Sequence, residues 1–450
     1  MVDARLGAAR VKRAWLCVLL PMAFGLLLLA GCRPAPGKPP VPTTVGQPLA
    51  AATPRPTLAA VAPLAAPAPL AAPAPLAVPA ASTAPARFVL QPPPAAGEPT
   101  LADLWAGRAR FVVDVADTGL PMGESDTVTM SNGELWSFVH ASDRSAGVVD
   151  SCGAAVAFPG CLVIYRSSDG GATFTLSGSP PVCQIPCRQC PCPESEHVRQ
   201  QQYPRVHFDG ERLTLVYEYL GRVMVRRSPD AQAWTPPEHV ADTTIWHLWF
   251  RDCAPAERIG RHPFVPFDYE CLAGGPPGLY IEDGVLYVFT ALGQNPSAMG
   301  CFLAPVDGAG ADFRRCAANP LFVGAAAYGP EDATDAAANA HFDFRTISSA
   351  EVVKVGAGEA ARYYMLYEGV RGPGPGDPGD TQFGLGLARS LTGQIDGPWE
   401  KFPGNPLLVD LPGNIGLGHA DLAVIDGRTY LYTSLDGVTR SRLLLQWAAR

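Results

Sequence analysis

The sequence predicts an all-β fold, a five-bladed β-propeller preceded by a disordered Pro/Ala-rich linker, on three observations. One hairpin unit recurs five times, its turn glycines Gly133, Gly210, Gly284, Gly356 and Gly427 spaced by 77, 74, 72 and 71 residues. From residue 100 onward, short alternating apolar runs and turn residues replace any helical periodicity. Each hairpin is followed by a third apolar run, leaving room for four strands per unit. Four-stranded units repeated around an axis leave only short, protected edges; two stacked β-sandwiches are the competing arrangement.

Composition narrows the function. The 450 residues carry a net charge of −8 and only 17% charged residues, so the broad basic footprint of a nucleic-acid binder is missing and no nucleic-acid partner is expected. Hydrophobic residues at 47% supply ample core. The average hides an asymmetry. Residues 33–97 contain no Asp or Glu, and 18 of the 47 prolines lie between Pro34 and Pro94. The chain therefore divides into a signal segment (1–31), a linker (32–99) and the propeller (100–450).

The first element is an address. Arg5, Arg10, Lys12 and Arg13 precede an apolar run from Trp15 to Ala30, the pattern of a secretory signal. The run ends Leu29-Ala30-Gly31-Cys32, which resembles a bacterial lipobox. That resemblance implies cleavage before Cys32, lipidation of Cys32 and attachment to a membrane outside the cytoplasm; an uncleaved membrane anchor is the alternative. Without residues 1–31 the chain has 30 basic and 41 acidic residues, a net charge of −11. In the linker that follows, Leu64-Ala-Ala-Pro-Ala-Pro repeats at Leu70. Dense proline removes backbone donors and fixes φ, so this stretch reads as extended polyproline II without a core.

The five units follow. Their hairpins are Val128–Phe138, Val206–Tyr217, Leu279–Phe289, Val352–Tyr367 and Leu422–Tyr432. Asn132-Gly133, Asp209-Gly210, Asp283-Gly284 and Asp426-Gly427 are turn dipeptides that accept positive φ. Third strands are expected at Cys161–Arg166, Arg222–Arg227, Met299–Leu303, Phe383–Ala388 and Leu443–Trp447. The fifth unit has no sequence left for an outer strand, and Arg108–Asp114 is placed to supply it from the N-terminal side.

Ser167-Ser-Asp169-Gly-Gly171-Ala-Thr173-Phe174 resembles the Asp-box turn of sialidases and related propellers, and Ser228-Pro-Asp230 is a shortened copy. Such carboxylates accept turn amides, so Asp169 and Asp230 are expected to be structural. Cys152/Cys161, Cys253/Cys271 and Cys301/Cys316 are spaced as disulfide staples for an oxidising compartment. Cys183, Cys187, Cys190 and Cys192 fit two disulfides better than a zinc site, and no metal or other cofactor is expected.

Propellers bind ligands on the axis, where the innermost strands begin. The residues at those positions are Asp126, Tyr203 and Arg205, Glu351 with Asp343 and Arg345 upstream, and His419 and Asp421; unit three offers only Gly275-Pro-Pro-Gly278. Asp126, Glu351 and Asp421 would converge from three blades. Paired carboxyl groups are what glycoside hydrolysis uses, one held protonated by crowding and burial. Alone, each is more commonly a strand-start carboxylate bonded to turn amides; three in register point to a site.

Glu351-Val-Val-Lys, Arg362-Tyr-Tyr-Met-Leu-Tyr-Glu368-Gly, Gly384-Leu-Gly-Leu-Ala-Arg-Ser390, Gly397-Pro-Trp-Glu-Lys-Phe-Pro-Gly-Asn-Pro406 and Gly418-His-Ala-Asp421 together resemble the five-bladed glycoside hydrolases, the group of arabinanases, xylosidases, levansucrases and invertases. The resemblance covers roughly residues 340–435 closely and residues 100–330 in architecture only. It implies Asp126 as base or nucleophile and Glu351 as acid; their place at the axis makes Asp421 a third site carboxylate and Tyr203, Arg205, Asp343, Arg345 and His419 the expected substrate contacts. The expected partner is a carbohydrate, hydrolysed or only bound. A non-catalytic adhesion lipoprotein is the alternative, and a sialidase-like enzyme a weaker one, since only Arg205 and Arg345 are placed to hold a substrate carboxylate.

Overall fold

The computed structural model describes residues 86–140, 161–179, 182–183, 201–219, 222–240, 243, 273–292, 297–324, 341–344, 346–371, 382–409 and 414–449. They form a five-bladed β-propeller. From the axis outward, blade 1 runs Ser125–Met130, Leu135–His140, Cys161–Ser167, then the short pieces Thr175–Leu176 and Val182–Cys183. Blade 2 runs Gln201–Phe208, Leu213–Tyr219, Arg222–Ser228, Glu238–His239. Blade 3 begins with Ala273–Glu282, Val285–Leu292 and Ala298–Pro305; blade 4 with Thr346–Val355, Arg362–Arg371 and Gln382–Ser390. Blade 5 runs Asp421–Ile425, Arg428–Thr433, Ser441–Trp447, and its outer strand is Ala109–Val115, contributed from the N-terminal side as the spacing requires. In every blade neighbouring strands are antiparallel, and the inner strands of blades 3 and 4 touch in parallel at Leu279 and Glu351.

The strands read as nearly continuous apolar runs because both faces are buried, and successive side chains feed opposite neighbours. Leu215 and Tyr217 pack toward Phe138 of blade 1, while Val216 packs toward Leu286 and Val288 of blade 3. Phe289 of blade 3 meets Met365 and Tyr367 of blade 4, whose Leu366 meets Leu431 of blade 5. Tyr432 of blade 5 then packs with Val139 and Phe174 of blade 1. This fifth seam closes the ring; stacked sandwiches would not bring the last unit onto the first.

Local chemistry fixes the turns. Asp283-Gly284 and Asp426-Gly427 have positive φ at both residues (51° and 74°; 50° and 77°), as a two-residue hairpin turn needs. In blades 3 and 4 the outer strand is split into Arg314–Arg315 plus Phe322–Val323 and Trp399–Lys401 plus Leu408–Val409. An Asn-Pro turn lies in each split, and the Asn side chain replaces the missing strand. Asn319 Oδ1 accepts the Cys301 N–H at 3.2 Å and Asn405 Oδ1 accepts the Leu387 N–H at 2.8 Å. Cys301–Cys316 is a disulfide, as its spacing suggested. Cys161 is also disulfide-bonded, whereas Cys152, Cys187, Cys190, Cys192, Cys253, Cys271 and the Cys183 side chain lie outside the described residues.

Residues 86–99, assigned to the linker by composition, are packed chain. Phe88–Val89 pairs with Met130 and Thr129 of the innermost strand of blade 1, and the Phe88 ring lies 5.3 Å from Trp136 and 5.9 Å from Phe208. The Ala95 N–H donates to the Gly427 carbonyl at 2.7 Å, and a short helix, Leu101–Trp105, precedes the outer strand of blade 5. Phe88 and Val89 are the first strand-forming pair after the Pro/Ala tract, which is why the boundary falls there.

Asp169 behaves as a turn brace. Its carboxylate accepts the hydroxyls of Ser167 and Thr173 and the amides of Ala172 and Thr173, at 2.6–3.1 Å. Burial alone would raise its pKa, but these bonds hold it at about 2. The turn abuts blade 5. Tyr432 Oη donates to the Gly171 carbonyl at 3.0 Å, and a Cβ on Gly171 would collide with that hydroxyl.

Candidate functional site

The inner strands of blades 2, 3 and 4 each carry an irregularity just after they begin. Register shifts lie between Gln202 and Arg205, Gly274 and Gly278, and Ser348 and Glu351. In blade 3 the left-handed residue is Gly275 (φ 82°), but in the other two it is Tyr203 (φ 57°) and Ser349 (φ 52°). Non-glycine residues at positive φ cost energy and concentrate at functional sites, and bulges re-aim side chains. Tyr203 and Ser349 both lie on innermost strands, so two of the residues held at positive φ stand at the axis.

Two levels of polar side chains meet there, two residues apart along the inner strands as the strand period requires. The first level holds Asp126, Arg205, Glu351 and Asp421. Arg205 is 1% exposed; its Nη2 donates to Ser349 Oγ at 2.7 Å, and its Nη1 lies 3.4 Å from the Ser125 carbonyl and 3.9 Å from Glu351 Oε2. Asp421 Oδ2 accepts the hydroxyls of Ser125 (2.8 Å) and Thr127 (2.9 Å), tying blade 5 to blade 1. Asp126 accepts the Val206 N–H, tying blade 1 to blade 2. Leu279 fills the equivalent place in blade 3.

Burial and mutual repulsion set the charge state. Burial first, then the Asp421 charge, pushes Asp126 up to about 7, against the pull of Arg205. Glu351 is raised well above the ordinary carboxylate range by burial and by Asp126. Asp421 is raised by burial, with Arg440 and its two hydroxyl donors opposing. Burial pulls Arg205 down, but Asp126, Glu124, Glu351 and Asp421 together raise it.

The second level holds Glu124, Glu368, His419 and Tyr203. His419 Nε2 lies 3.0 Å from Glu124 Oε1 and 2.9 Å from Glu368 Oε2. Its Nδ1 has no partner, which assigns the ring proton to Nε2. Ser349 donates to Glu124 and Ser348 to Glu368, both at 3.1 Å. Ser349 thus accepts from Arg205 on one level and donates to Glu124 on the other. The Tyr203 ring stands edge-on between His140 (5.7 Å) and His419 (5.2 Å). Burial raises Glu124 to about 7 and Glu368 to about 8, and lowers His419 and His140 to about 4. At neutral pH the histidines are uncharged and the carboxyl groups are divided between acid and anion. A neutral acid next to an ionised carboxylate is the equipment of general acid–base and glycosyl chemistry.

Of the residues nominated from sequence, Asp126, Arg205, Glu351, Asp421, Tyr203 and His419 belong to this one buried group. Asp343 does not. It accepts Lys401 Nζ at 3.0 Å and the Tyr367 hydroxyl at 2.9 Å, a separate ion pair within blade 4. Arg345 and Cys32 lie outside the described residues. Sequence reading missed Glu124, Glu368, Ser349 and Arg440. Glu124 sits one strand period before Asp126, and Glu368 is the one acid in the apolar strand Arg362–Arg371, so both carried a signal. Among the described residues no group of three or more His, Cys, Asp and Glu is arranged to hold a metal ion.

No family model and no curated protein sequence matches the chain. Among solved structures it is similar to an endo-arabinase from Bacteroides thetaiotaomicron VPI-5482 (12% identity, 75% of this chain and 98% of that one, TM-score 0.42). It is similar to an endo-arabinanase from Bacillus licheniformis (13%, 75% and 96%, TM-score 0.40) and to a xylan β-1,4-xylosidase from Bacillus halodurans C-125 (14%, 75% and 54%, TM-score 0.41).

Proposed function

We propose that the chain acts on a glycan at the propeller axis, as a glycoside hydrolase carried outside the cytoplasm by lipid on Cys32. The observation that supports this most is the convergence of Asp126, Glu351 and Asp421 from three blades around Arg205, with Asp126 raised to about 7 by burial and crowding. Glu351, whose side chain keeps 15% of its exposure, is the acid in this reading, and Asp126 the base or nucleophile. The substrate is a carbohydrate; Tyr203, Arg205 and His419 border its site.

A second reading keeps the glycan and drops the chemistry. It is favoured by Leu279, which gives blade 3 no carboxylate at the level of the other three. A sialidase-like reading has less support, because Arg205 and Arg440 are the two guanidiniums of the described axial group and both are engaged with the protein.

Release of reducing sugar from a panel of plant and microbial polysaccharides, run beside a pull-down on the same panel, separates the readings. Cleavage supports the hydrolase, binding without cleavage the adhesion protein, and neither overturns the glycan assignment. Mass spectrometry of the mature N-terminus tests the anchor: acylated Cys32 is expected, and an intact Met1 contradicts it.

A further inference from the structure

In blades 2, 3 and 4 the first residue of the inner-strand bulge is the left-handed one: Tyr203, Gly275 and Ser349. Blade 3 shows that glycine serves the backbone there, having no Cβ to clash. Blade 4 keeps a serine at φ 52° instead, so its side chain has to account for the strain. The bulge also aims two consecutive side chains at one group. In a regular strand Ser348 and Ser349 would point to opposite faces. Here Ser348 Oγ donates to Glu368 and Ser349 Oγ to Glu124, both at 3.1 Å, and both serines are fully buried.

Arg205 depends on that hydroxyl. Its 2.7 Å bond to Ser349 Oγ is the shortest its guanidinium makes among the described residues. Nη1 has only a long 3.4 Å contact to the Ser125 carbonyl, stands 3.9 Å from Glu351 Oε2, and Nε has no partner. The Ser349 hydroxyl is therefore the firmest hydrogen-bonded restraint on where the guanidinium stands. It works in both senses, accepting from Arg205 and donating to Glu124, which neither alanine nor glycine can do. The charges around this junction come from four blades. They are Glu124 and Asp126 of blade 1, Arg205 of blade 2, Glu351 and Glu368 of blade 4, and His419, Asp421 and Arg440 of blade 5, with Tyr203 and His140 adjoining His419.

We propose that Ser349 is a positioning residue of the axial site: through its hydroxyl, rather than through the bulge, it fixes Arg205 against Glu351 and ties that pair to the protonation of Glu124. The proposal rests on the glycan reading above for its effect on turnover, and not for its own test. Burial raises Glu124 and Glu351; the Arg205 charge opposes this at both, and the Ser349 hydroxyl at Glu124. Removing the hydroxyl should therefore raise both carboxyls further. Among the described residues no hydrogen bond joins Ser349 to Glu351, so a change at Glu351 common to different replacements passes through Arg205.

The test is a carbon-13 NMR titration of the full chain labelled at the Glu side-chain carboxyl carbons, with Glu124 and Glu351 assigned from their Gln variants. Wild type is compared with Ser349→Ala, which keeps the backbone strain, and Ser349→Gly, which relieves it. Both variants should raise the midpoints of Glu124 and Glu351 by about one pH unit, while the glycine variant is the more stable of the two. Unchanged midpoints in a folded variant, or a change in the alanine variant alone, overturn the proposal, because the bulge and not the hydroxyl would then matter. If only the glycine variant folds, its Glu351 midpoint decides; if neither folds, Ser349 is structural and the positioning role is overturned. On any glycan that wild type cleaves, Ser349→Gly should lower kcat about tenfold with KM little changed, and move the pH–rate profile to higher pH. Shifted midpoints with no glycan cleaved or bound by wild type overturn the glycan reading and leave the role of Ser349 standing.

Discussion

Arg205 of blade 2 donates a 2.7 Å hydrogen bond to the hydroxyl of Ser349 in blade 4, across the axis of the ring. Ser349 holds a positive φ of 52° to be there, and its hydroxyl passes on to Glu124 of blade 1 at 3.1 Å. One strained serine therefore links three blades and both levels of the polar group.

Removing the cation at the centre should destabilise the ring. Arg205→Leu leaves Asp126, Glu351 and Asp421 without their shared counter-charge, and stripping one partner from a buried ionic group costs roughly 3–5 kcal/mol. Urea unfolding at pH 7.5 should show that loss. At pH 5, where the carboxyls are protonated, the deficit should be smaller. An Arg205→Leu protein as stable as wild type at pH 7.5 would contradict this role.

Stability should fall toward alkaline pH. Glu124, Asp126 and Glu368 have folded pKa values of about 7, 7 and 8, above their ordinary values near 4. The folded state binds these protons more tightly, so their contribution is full below pH 4 and is lost as pH rises through 7 to 8. His140 and His419 act in the other sense. Lowered to about 4, they contribute above pH 6.5 and lose that contribution as pH falls through 4. Three carboxyls outweigh two histidines, so thermal unfolding from pH 4 to 9 should show stability falling toward the alkaline limb, most steeply near pH 6–7.5, with the histidines only blunting the fall below pH 6.5. Glu368→Gln should flatten the alkaline limb, and an unchanged limb would sink the assignment.

Glu351→Gln keeps the side chain's shape and removes its ionisable proton. If Glu351 is the acid, turnover of any cleaved glycan should drop by roughly 10²–10⁴ with little change in ground-state affinity. Full activity in the variant would transfer the role to another carboxyl, with Glu368 the next to test.

Asp169→Ala should separate stability from turnover. Four hydrogen bonds to that carboxylate are lost, for a cost of about 1–3 kcal/mol. Its effect on the rate of the folded fraction should be nil, because the turn packs on Tyr432 at the seam of blades 1 and 5. A turnover defect at full folding would contradict that.

The blades were legible in the sequence because each depends on nearby residues. Asp283-Gly284 and Asp426-Gly427 announce their hairpins, and Leu215-Val216-Tyr217 announces a strand buried on both faces. Asp126, Arg205, His419 and Asp421 were legible because a radial repeat brings equivalent positions together. Glu368 was missed because it reaches the axis from the second strand of its blade, beside Ser348, where the radial repeat of first strands does not point; its one signal was to be the single acid in an apolar strand. Asp343 misled for the opposite reason. Near the inner strand in sequence, it is turned outward to Lys401 by an ion pair that only the folded blade brings together. The linker boundary was set too late because composition averages over windows, whereas the short pair Phe88-Val89 anchors the chain by pairing with blade 1 and packing on Trp136.

Whether the axial carboxyl groups meet a sugar decides the functional reading. A crystal structure of the chain soaked with an oligosaccharide from the binding panel answers that without an assay. A sugar ring is expected at the mouth of the axis, within hydrogen-bond distance of Glu351 and Asp126 and beside Tyr203. A sugar bound only at the outer rim of the blades, with the group around Arg205 untouched, would contradict it.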